Sequence, residues 1–217
     1  MADYKKPDYW LLKARKEGYP ARSVYKLMEI DQKFDLLKPR CFMNGKSVTG
    51  EISALDLGAA PGSWSLYTLR KMAGKGFLTA ADLSPLSREF DKGLFDGANF
   101  FFIQGDFTGE VIRETILAKG PYSVILSDAA GFTTGNHTVD AARSLELAET
   151  VLGYAESALV PGGSLAVKVF QGGDSAALLK KIKTLFKMAN CFKPKACRGE
   201  SVETYFIGLK KHGMITT

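Results

Sequence analysis

The chain has 217 residues, 46% of them hydrophobic, and a formal net charge of +6. That length gives one domain a sizeable core and leaves little room for two, so 1–217 is read as a single domain. Two histidines and three cysteines without CxxC spacing argue against a histidine metal site, a Ser-His-Asp triad, a zinc site or a disulfide framework, and the chain has neither an apolar run near the roughly 18 residues of a membrane span nor a signal-peptide stretch.

The opening segment, about 1–38, is basic. Lys5, Lys6, Lys13, Arg15, Lys16, Arg22 and Lys26 crowd it, with Tyr4, Tyr9, Trp10 and Tyr19 interleaved. Cations mixed with aromatics suit phosphate contacts and base stacking. The alternative is a solvated basic helix with some aromatics docked on the core. From Ala21 to about Leu37, the apolar residues Val24, Leu27, Ile30, Phe34 and Leu37 recur at helical spacing, and Pro39 ends that helix. Asn44-Gly45 and Gly50 are turn signals, which makes 39–50 a surface excursion.

An alternation follows. Strands are predicted at Ile52–Leu57, Gly76–Asp82, Phe100–Gln104, Tyr122–Ser127 and Ser164–Phe170. Helices are predicted at Ser63–Met72, Thr108–Ala118, Val139–Leu159 and Ser175–Met188, with a turn at Pro161-Gly162-Gly163. Two closing strands, Cys191–Cys197 and Glu203–Leu209, are too near each other for a helical crossover and must pair as an antiparallel hairpin. The expectation is therefore an α/β fold: a seven-stranded, mostly parallel, doubly wound sheet with helices on both faces. A parallel sheet ending in a hairpin is the Rossmann-like layout of class I methyltransferases; a dinucleotide-binding domain would continue with another crossover.

Ligands of such sheets bind at the carboxyl ends of the strands. Asp56-Leu-Gly-Ala-Ala-Pro-Gly62 falls there, and the small residues from Gly58 onward let backbone approach a ligand. Its spacing differs from GxGxxG and suits an amino-acid moiety better than a diphosphate. S-adenosylmethionine carries such a moiety. Asp82 ends the second strand, where a carboxylate can accept from two ribose hydroxyls. Asp106 follows the third, placed to accept from an adenine amino group. Either acid is also an ordinary turn former.

Lys168 is unusual: a lysine in mid-strand, between Val167 and Val169, must have acidic partners or face a cleft. Asp128 and Glu203 are the candidate partners. With Lys26 they make a set of two ammonium and two carboxylate groups, suited to orienting a sugar hydroxyl and taking its proton. Nearby carboxylates oppose a lysine's loss of its proton, while desolvation and Lys26 favour it. After Asp128 the chain reads Ala-Ala-Gly-Phe, which lacks the Pro-Pro-aromatic segment common in amino-group methylation. No cysteine follows a proline in a strand-end loop, as cytosine carbon methylation needs. Ser127 has no evident histidine partner, and His137 reads as a loop residue.

Seven segments together resemble the FtsJ-like (RrmJ) ribosomal-RNA 2′-O-methyltransferases from about Asp8 to Leu209. They are Ala21-Arg-Ser-Val-Tyr-Lys-Leu27, Asp56-Leu-Gly-Ala-Ala-Pro-Gly-Ser-Trp64, Gln104-Gly-Asp-Phe107, Ser127-Asp128, Pro161-Gly-Gly-Ser164, Val167-Lys-Val-Phe-Gln171 and Ser201-Val-Glu-Thr-Tyr205. The resemblance implies a catalytic set of Lys26, Asp128, Lys168 and Glu203, with Lys168 as proton acceptor. It implies S-adenosylmethionine contacts at Gly62, Trp64, Asp82, Asp106 and Asp128, and no metal. The implied substrate is RNA, a uridine of ribosomal RNA within the large subunit, and the implied enzyme is a cytoplasmic monomer. Ser63 stands where glycine is frequent, 129–136 differs from the usual Met-Ala-Pro-Asn-containing stretch, and 39–50 is longer than usual. Three other readings stay open: a transfer-RNA 2′-O-methyltransferase, a non-catalytic RNA-binding protein of this fold, and an NAD-dependent oxidoreductase.

Overall fold

The computed structural model describes residues 8–38, 41–43, 46–48, 51–132, 134–199 and 201–213. Tyr4, Lys5, Lys6, Pro39, the Asn44-Gly45 turn and the Gly50 break lie outside the described residues. Among these residues the helices are α1 Tyr9–Lys16, α2 Val24–Phe34, α3 Ser63–Met72, α4 Glu110–Ala118, α5 His137–Ala158 and α6 Ser175–Leu185. The strands are β1 Cys41–Met43, β2 Lys46–Val48, β3 Ile52–Leu57, β4 Gly76–Asp82, β5 Phe100–Gln104, β6 Tyr122–Ser127, β7 Leu159–Phe170, β8 Phe186–Phe192 and β9 Glu203–Lys211. No described helix is long and apolar enough to cross a membrane.

Strands β3 to β9 form one seven-stranded sheet in the order β5-β4-β3-β6-β7-β9-β8. Pairing from β5 to β7 is parallel, and β9 pairs antiparallel with both β7 and β8. The expected sheet and terminal hairpin are both present. The chain runs outward from β3 to β5 and then returns to place β6 on the other side of β3. The crevice between β3 and β6 is thus the topological switch point, where ligands of such sheets bind. Each face is covered. One core cluster joins α2 and α3 to the sheet through Leu27, Ile30, Leu66 and Leu69. The other joins α4, α5 and α6 through Ile116, Val151, Leu178 and Ile182.

Several boundaries depart from the expectation. Helix α2 stops at Phe34, short of Pro39, because Asp35 turns left-handed with φ 52° and donates its N–H back to Asp31 O at 2.8 Å. His137, expected in a loop, opens α5: the Asn136 side chain caps it, accepting from Thr138 N–H at 3.0 Å. Pro161-Gly162-Gly163, expected as a turn, is carried within β7, where the pairing slips from Tyr122 opposite Leu159 to Val124 opposite Ser164. The largest change is at the hairpin. The helix predicted through Met188 ends at Leu185, and the strand predicted over Cys191–Cys197 runs over Phe186–Phe192. Packing decides it. The buried Phe186 ring lies against the bare Cα of Gly208, where a Cβ would come within 2.6 Å of it. The lysine-rich pattern over 180–187 reads equally well as a solvated helix face, so periodicity alone could not find that contact.

In the basic segment, α1 was not anticipated as a separate helix. Asp8 caps it through Trp10 N–H at 3.0 Å, Ala14 is buried, and Trp10 packs on Tyr25 with ring centroids 5.1 Å apart. Trp10 and Tyr19 dock on the core, whereas Tyr9 is exposed.

Candidate active site

The site is assembled where β3, β4, β5 and β6 end. Asp56, the fifth residue of β3, is fully buried. Ser65 Oγ donates to its Oδ2 at 2.6 Å, while Oδ1 has no hydrogen-bond partner among the described residues. Burial pushes this carboxyl up to about 7; the Ser65 bond opposes the rise, and the charges of Asp128 and Asp82 add to it.

The loop that follows explains its glycine. Gly58 sits at φ +78°, and a Cβ there would lie 2.6 Å from Ala129 Cα. The loops after β3 and β6 therefore touch, and any side chain at 58 would part them. Asp82 shapes the same loop from the β4 side. Its Oδ2 accepts from Ala60 N–H at 2.9 Å and its Oδ1 from Ser84 N–H at 2.8 Å. Asp106 accepts from Thr108 N–H at 2.9 Å and Thr108 Oγ–H at 2.7 Å. Both acids are thus turn formers. Both also face a ligand-sized space, and a carboxylate has about four acceptor sites, so each retains capacity for a ligand.

That space is a cavity of about 880 Å³. Gly58, Asp82, Asp106 and Asp128 line it, together with Phe132 and Arg143. Gly62 and Trp64 do not line it. Gly62 caps α3 with φ +108°. Trp64 is 2% exposed, and its Nε1–H donates to Ser23 O at 2.9 Å. Between them, Ser63 Oγ accepts from Ala21 N–H at 2.9 Å and donates to Ala21 O at 3.1 Å. Ser63 and Trp64 fasten the end of the glycine loop to the segment leading into α2, and α2 carries Lys26.

The four charged residues converge as two ion pairs. Lys168 Nζ donates to the Asp128 backbone carbonyl at 2.5 Å and lies 3.1 Å from Asp128 Oδ1. Lys26 Nζ lies 2.8 Å from Glu203 Oε1. The register of β7 on β9 accounts for the meeting. Lys168 is opposite Tyr205, and Glu203, two residues away on the same strand, shares its face. Tyr205 is a participant that the charge pattern did not single out: its hydroxyl donates to Asp128 Oδ1 at 2.6 Å. Its signal was the two-residue spacing from Glu203.

Burial alone would raise the Asp128 carboxyl, but the charges of Lys168 and Lys26, with the bonds from Tyr205 and Lys168, hold it below the usual carboxylate range. Burial likewise works against the Lys26 ammonium, yet Asp128 and Glu203 hold it above its ordinary value. Cys197 lies beside this cluster. Burial, then its hydrogen bond to Glu203 and that residue's charge, push its thiol up to about 12, so it stays protonated. The cluster is a preorganised set of charges whose one member on the cavity wall is Asp128.

The model of the FtsJ-like methyltransferase family matches residues 19–211. The chain belongs to the FtsJ-like methyltransferase family. It is 49% identical over 210 residues to the ribosomal RNA large subunit methyltransferase E of Treponema denticola, covering 97% of this chain and 98% of that one. The protein of the same name from Nitratidesulfovibrio vulgaris strain Miyazaki F is 41% identical over 208 residues, with 95% of each chain covered. Among solved structures, a Plasmodium falciparum chain described as a ribosomal RNA methyltransferase superposes with a TM-score of 0.71 at 26% identity, over 90% of this chain and 100% of that one. Magnesium protoporphyrin IX methyltransferase from Synechocystis, solved with bound S-adenosylmethionine, superposes with a TM-score of 0.54 at 12% identity, over 95% of this chain and 86% of its own, and speaks to the fold alone. This FtsJ-like chain is therefore an S-adenosylmethionine-dependent methyltransferase of class I fold, which sets aside the oxidoreductase and the binding-only readings.

Proposed function

We propose that the chain methylates a ribose 2′-hydroxyl of RNA, with a uridine of large-subunit ribosomal RNA as its target in the assembled subunit. The relatives named for large-subunit ribosomal RNA support the substrate. The observation that carries the chemistry is Asp128, which lines the cavity while holding Lys168 at 3.1 Å. One residue thus joins a cofactor-sized space to a buried lysine.

The residues fit S-adenosylmethionine: Gly58 leaves backbone exposed at the crevice, and Asp82 and Asp106 present carboxylates from adjacent strand ends. In this reading Gly58, Asp82, Asp106 and Asp128 hold the cofactor directly, and Gly62 and Trp64 act by holding the loop. The bound cofactor supplies an electrophilic methyl group on a cationic sulfur. The nucleophile in such an in-line displacement must lie about 3 Å from the methyl, so positioning does much of the work. Lys168, entering the step as its free amine after releasing its own proton to water, would orient the 2′-oxygen and take the hydroxyl proton at Nζ as the methyl passes from sulfur to that oxygen. Asp128 then compensates the ammonium charge that proton uptake creates. Lys26 and Glu203 hold one another beside the acceptor ribose and fix the local field.

RNA docks on the basic segment. Arg22 is engaged internally, paired with Asp8 and donating to Ala196 O at 2.7 Å, and Lys13 lies 4.9 Å from the Tyr25 ring centroid. Arg15 and Lys16 are exposed and are the free phosphate contacts of α1. We treat the chain as one catalytic domain that works as a cytoplasmic monomer and takes its specificity from the shape of an assembled particle.

The test incubates the protein and labelled S-adenosylmethionine with total transfer RNA or with large ribosomal subunits from cells lacking the enzyme, followed by nucleoside analysis. A 2′-O-methyluridine from the subunits is expected. Product from transfer RNA alone would move the substrate; no 2′-O-methylated nucleoside from either would sink the reading.

A further inference from the structure

The mechanism uses only some of the residues that line the cavity. Others come from the loop after β6 and from α5: Phe132, Arg143, Glu146, Leu147 and Thr150. Phe132 is 89% exposed, the most exposed large hydrophobic side chain among the described residues. A lone exposed apolar residue ordinarily needs no explanation. This one differs in two respects. It lines the same cavity as Asp128, the partner of Lys168. It is also held there. Arg143 Nη1 donates to Phe132 O at 3.1 Å, and Asp140 accepts from Thr134 N–H at 2.7 Å, Thr134 Oγ–H at 2.9 Å and Gly135 N–H at 3.1 Å. The backbone is thus tied to α5 at the Phe132 carbonyl and again just after it, beside an aromatic ring that faces solvent.

We propose that Phe132 is a substrate-positioning residue of the acceptor site, stacking on the base of the acceptor nucleotide or of its immediate neighbour, with Arg143 setting the ring's position. The inference rests on the RNA 2′-O-methylation reading above. Base on aromatic is the chemistry that recognises an unstacked RNA nucleotide, since its flat face is otherwise left to water. The acceptor ribose must reach Asp128 and Lys168, so its base or the next one extends along the loop that begins at Ala129. The guanidinium of Arg143 spends one donor on Phe132 O and retains others for a phosphate.

The experiment compares the wild type with Phe132→Leu, Phe132→Ala and Phe132→Trp on large ribosomal subunits, and measures S-adenosylmethionine affinity for each by calorimetry. Phe132→Leu keeps an apolar side chain and removes the ring. The expected result is a fall of roughly tenfold in kcat/KM for RNA with Leu or Ala, from the loss of one stacked base. Phe132→Trp retains activity, and cofactor affinity is unchanged in all three. Unchanged kcat/KM in Phe132→Leu overturns the proposal, because an apolar contact then suffices. Weaker cofactor binding with RNA kinetics intact also overturns it and assigns the ring to the adenine. Absence of any 2′-O-methyl product from the wild type overturns the reading on which the proposal rests, and is distinct from a wild type that works and a variant that works equally well.

Discussion

The two halves of the site solve opposite problems. On the β3–β4–β5 side, the acids sit at open strand ends and are satisfied by nearby backbone. Asp82 accepts from Ala60 and Ser84, and Asp106 from Thr108. On the β7–β9 side, the charges are enclosed and satisfy one another: Lys168 with Asp128, and Lys26 with Glu203. The first half needs only its own strand ends: Asp106 holds its own turn, and Asp82 holds its own turn and the loop of the neighbouring strand. The second half is assembled from α2, β6, β7 and β9, and it exists only when the whole sheet has formed. A binding surface tolerates the first kind of construction because ligand contacts are spread over many groups. A proton-transfer centre needs the second, since its geometry must be set before the reactants arrive.

The largest expected effect tests whether the enclosed half does the chemistry. Lys168→Ala should lower kcat by roughly 10²–10⁴, the range a positioned acid–base group supplies, and leave S-adenosylmethionine affinity nearly intact. Single-turnover transfer to large ribosomal subunits, with cofactor binding measured in parallel, checks it. If both fall together, Lys168 is a structural partner of Asp128, and the division into a binding half and a reacting half fails.

A smaller effect should come from Tyr205→Phe. The ring stays, with its centroid 5.8 Å from that of Trp64, and only the hydroxyl that donates to Asp128 at 2.6 Å is lost. A hydrogen bond to a charged group contributes about 1.5 kcal/mol or more, so kcat should drop about tenfold while KM for the cofactor holds. A change confined to cofactor KM would place Asp128 with the open half.

The same contrast governs what could be read beforehand. Glycines and acids at strand ends are local patterns, and Gly58, Asp82 and Asp106 were legible from spacing on predicted strands. Lys168 was legible as an anomaly, a charge in an apolar strand. Its partner Asp128, 40 residues away, followed from the sheet order and the family resemblance, whereas Glu203, the other expected partner, pairs instead with Lys26. Tyr205 escaped because one more aromatic on a buried strand looks like core until the register puts it opposite Lys168. The shift of β8 to Phe186 escaped for a related reason: it depends on the bare face of Gly208, a contact 22 residues away that no window in the sequence shows. Phe132 escaped because exposed loop aromatics carry no periodic signal.

Asp56 lies where the two halves meet, and it offers the finest test. It senses Asp82 on one side and Asp128 on the other, and burial pushes its carboxyl up to about 7. Its ordinary value is 3.8. Between these values the folded protein binds more protons at this group than the unfolded chain does, so Asp56 contributes less to stability as pH rises from about 4 to 7. An amide cannot titrate. The stability of Asp56→Asn relative to wild type should therefore improve steadily over that interval, whatever constant offset the substitution adds by disturbing the Ser65 bond. Each tenfold of proton affinity is worth about 1.4 kcal/mol, so the trend is measurable by urea unfolding at successive pH values. A flat difference would mean that Asp56 is ionised in the folded protein throughout. Repeating the series in Asp128→Asn separates the sources: a smaller slope assigns part of the perturbation to the enclosed half, and an unchanged slope assigns it to burial beneath the glycine loop.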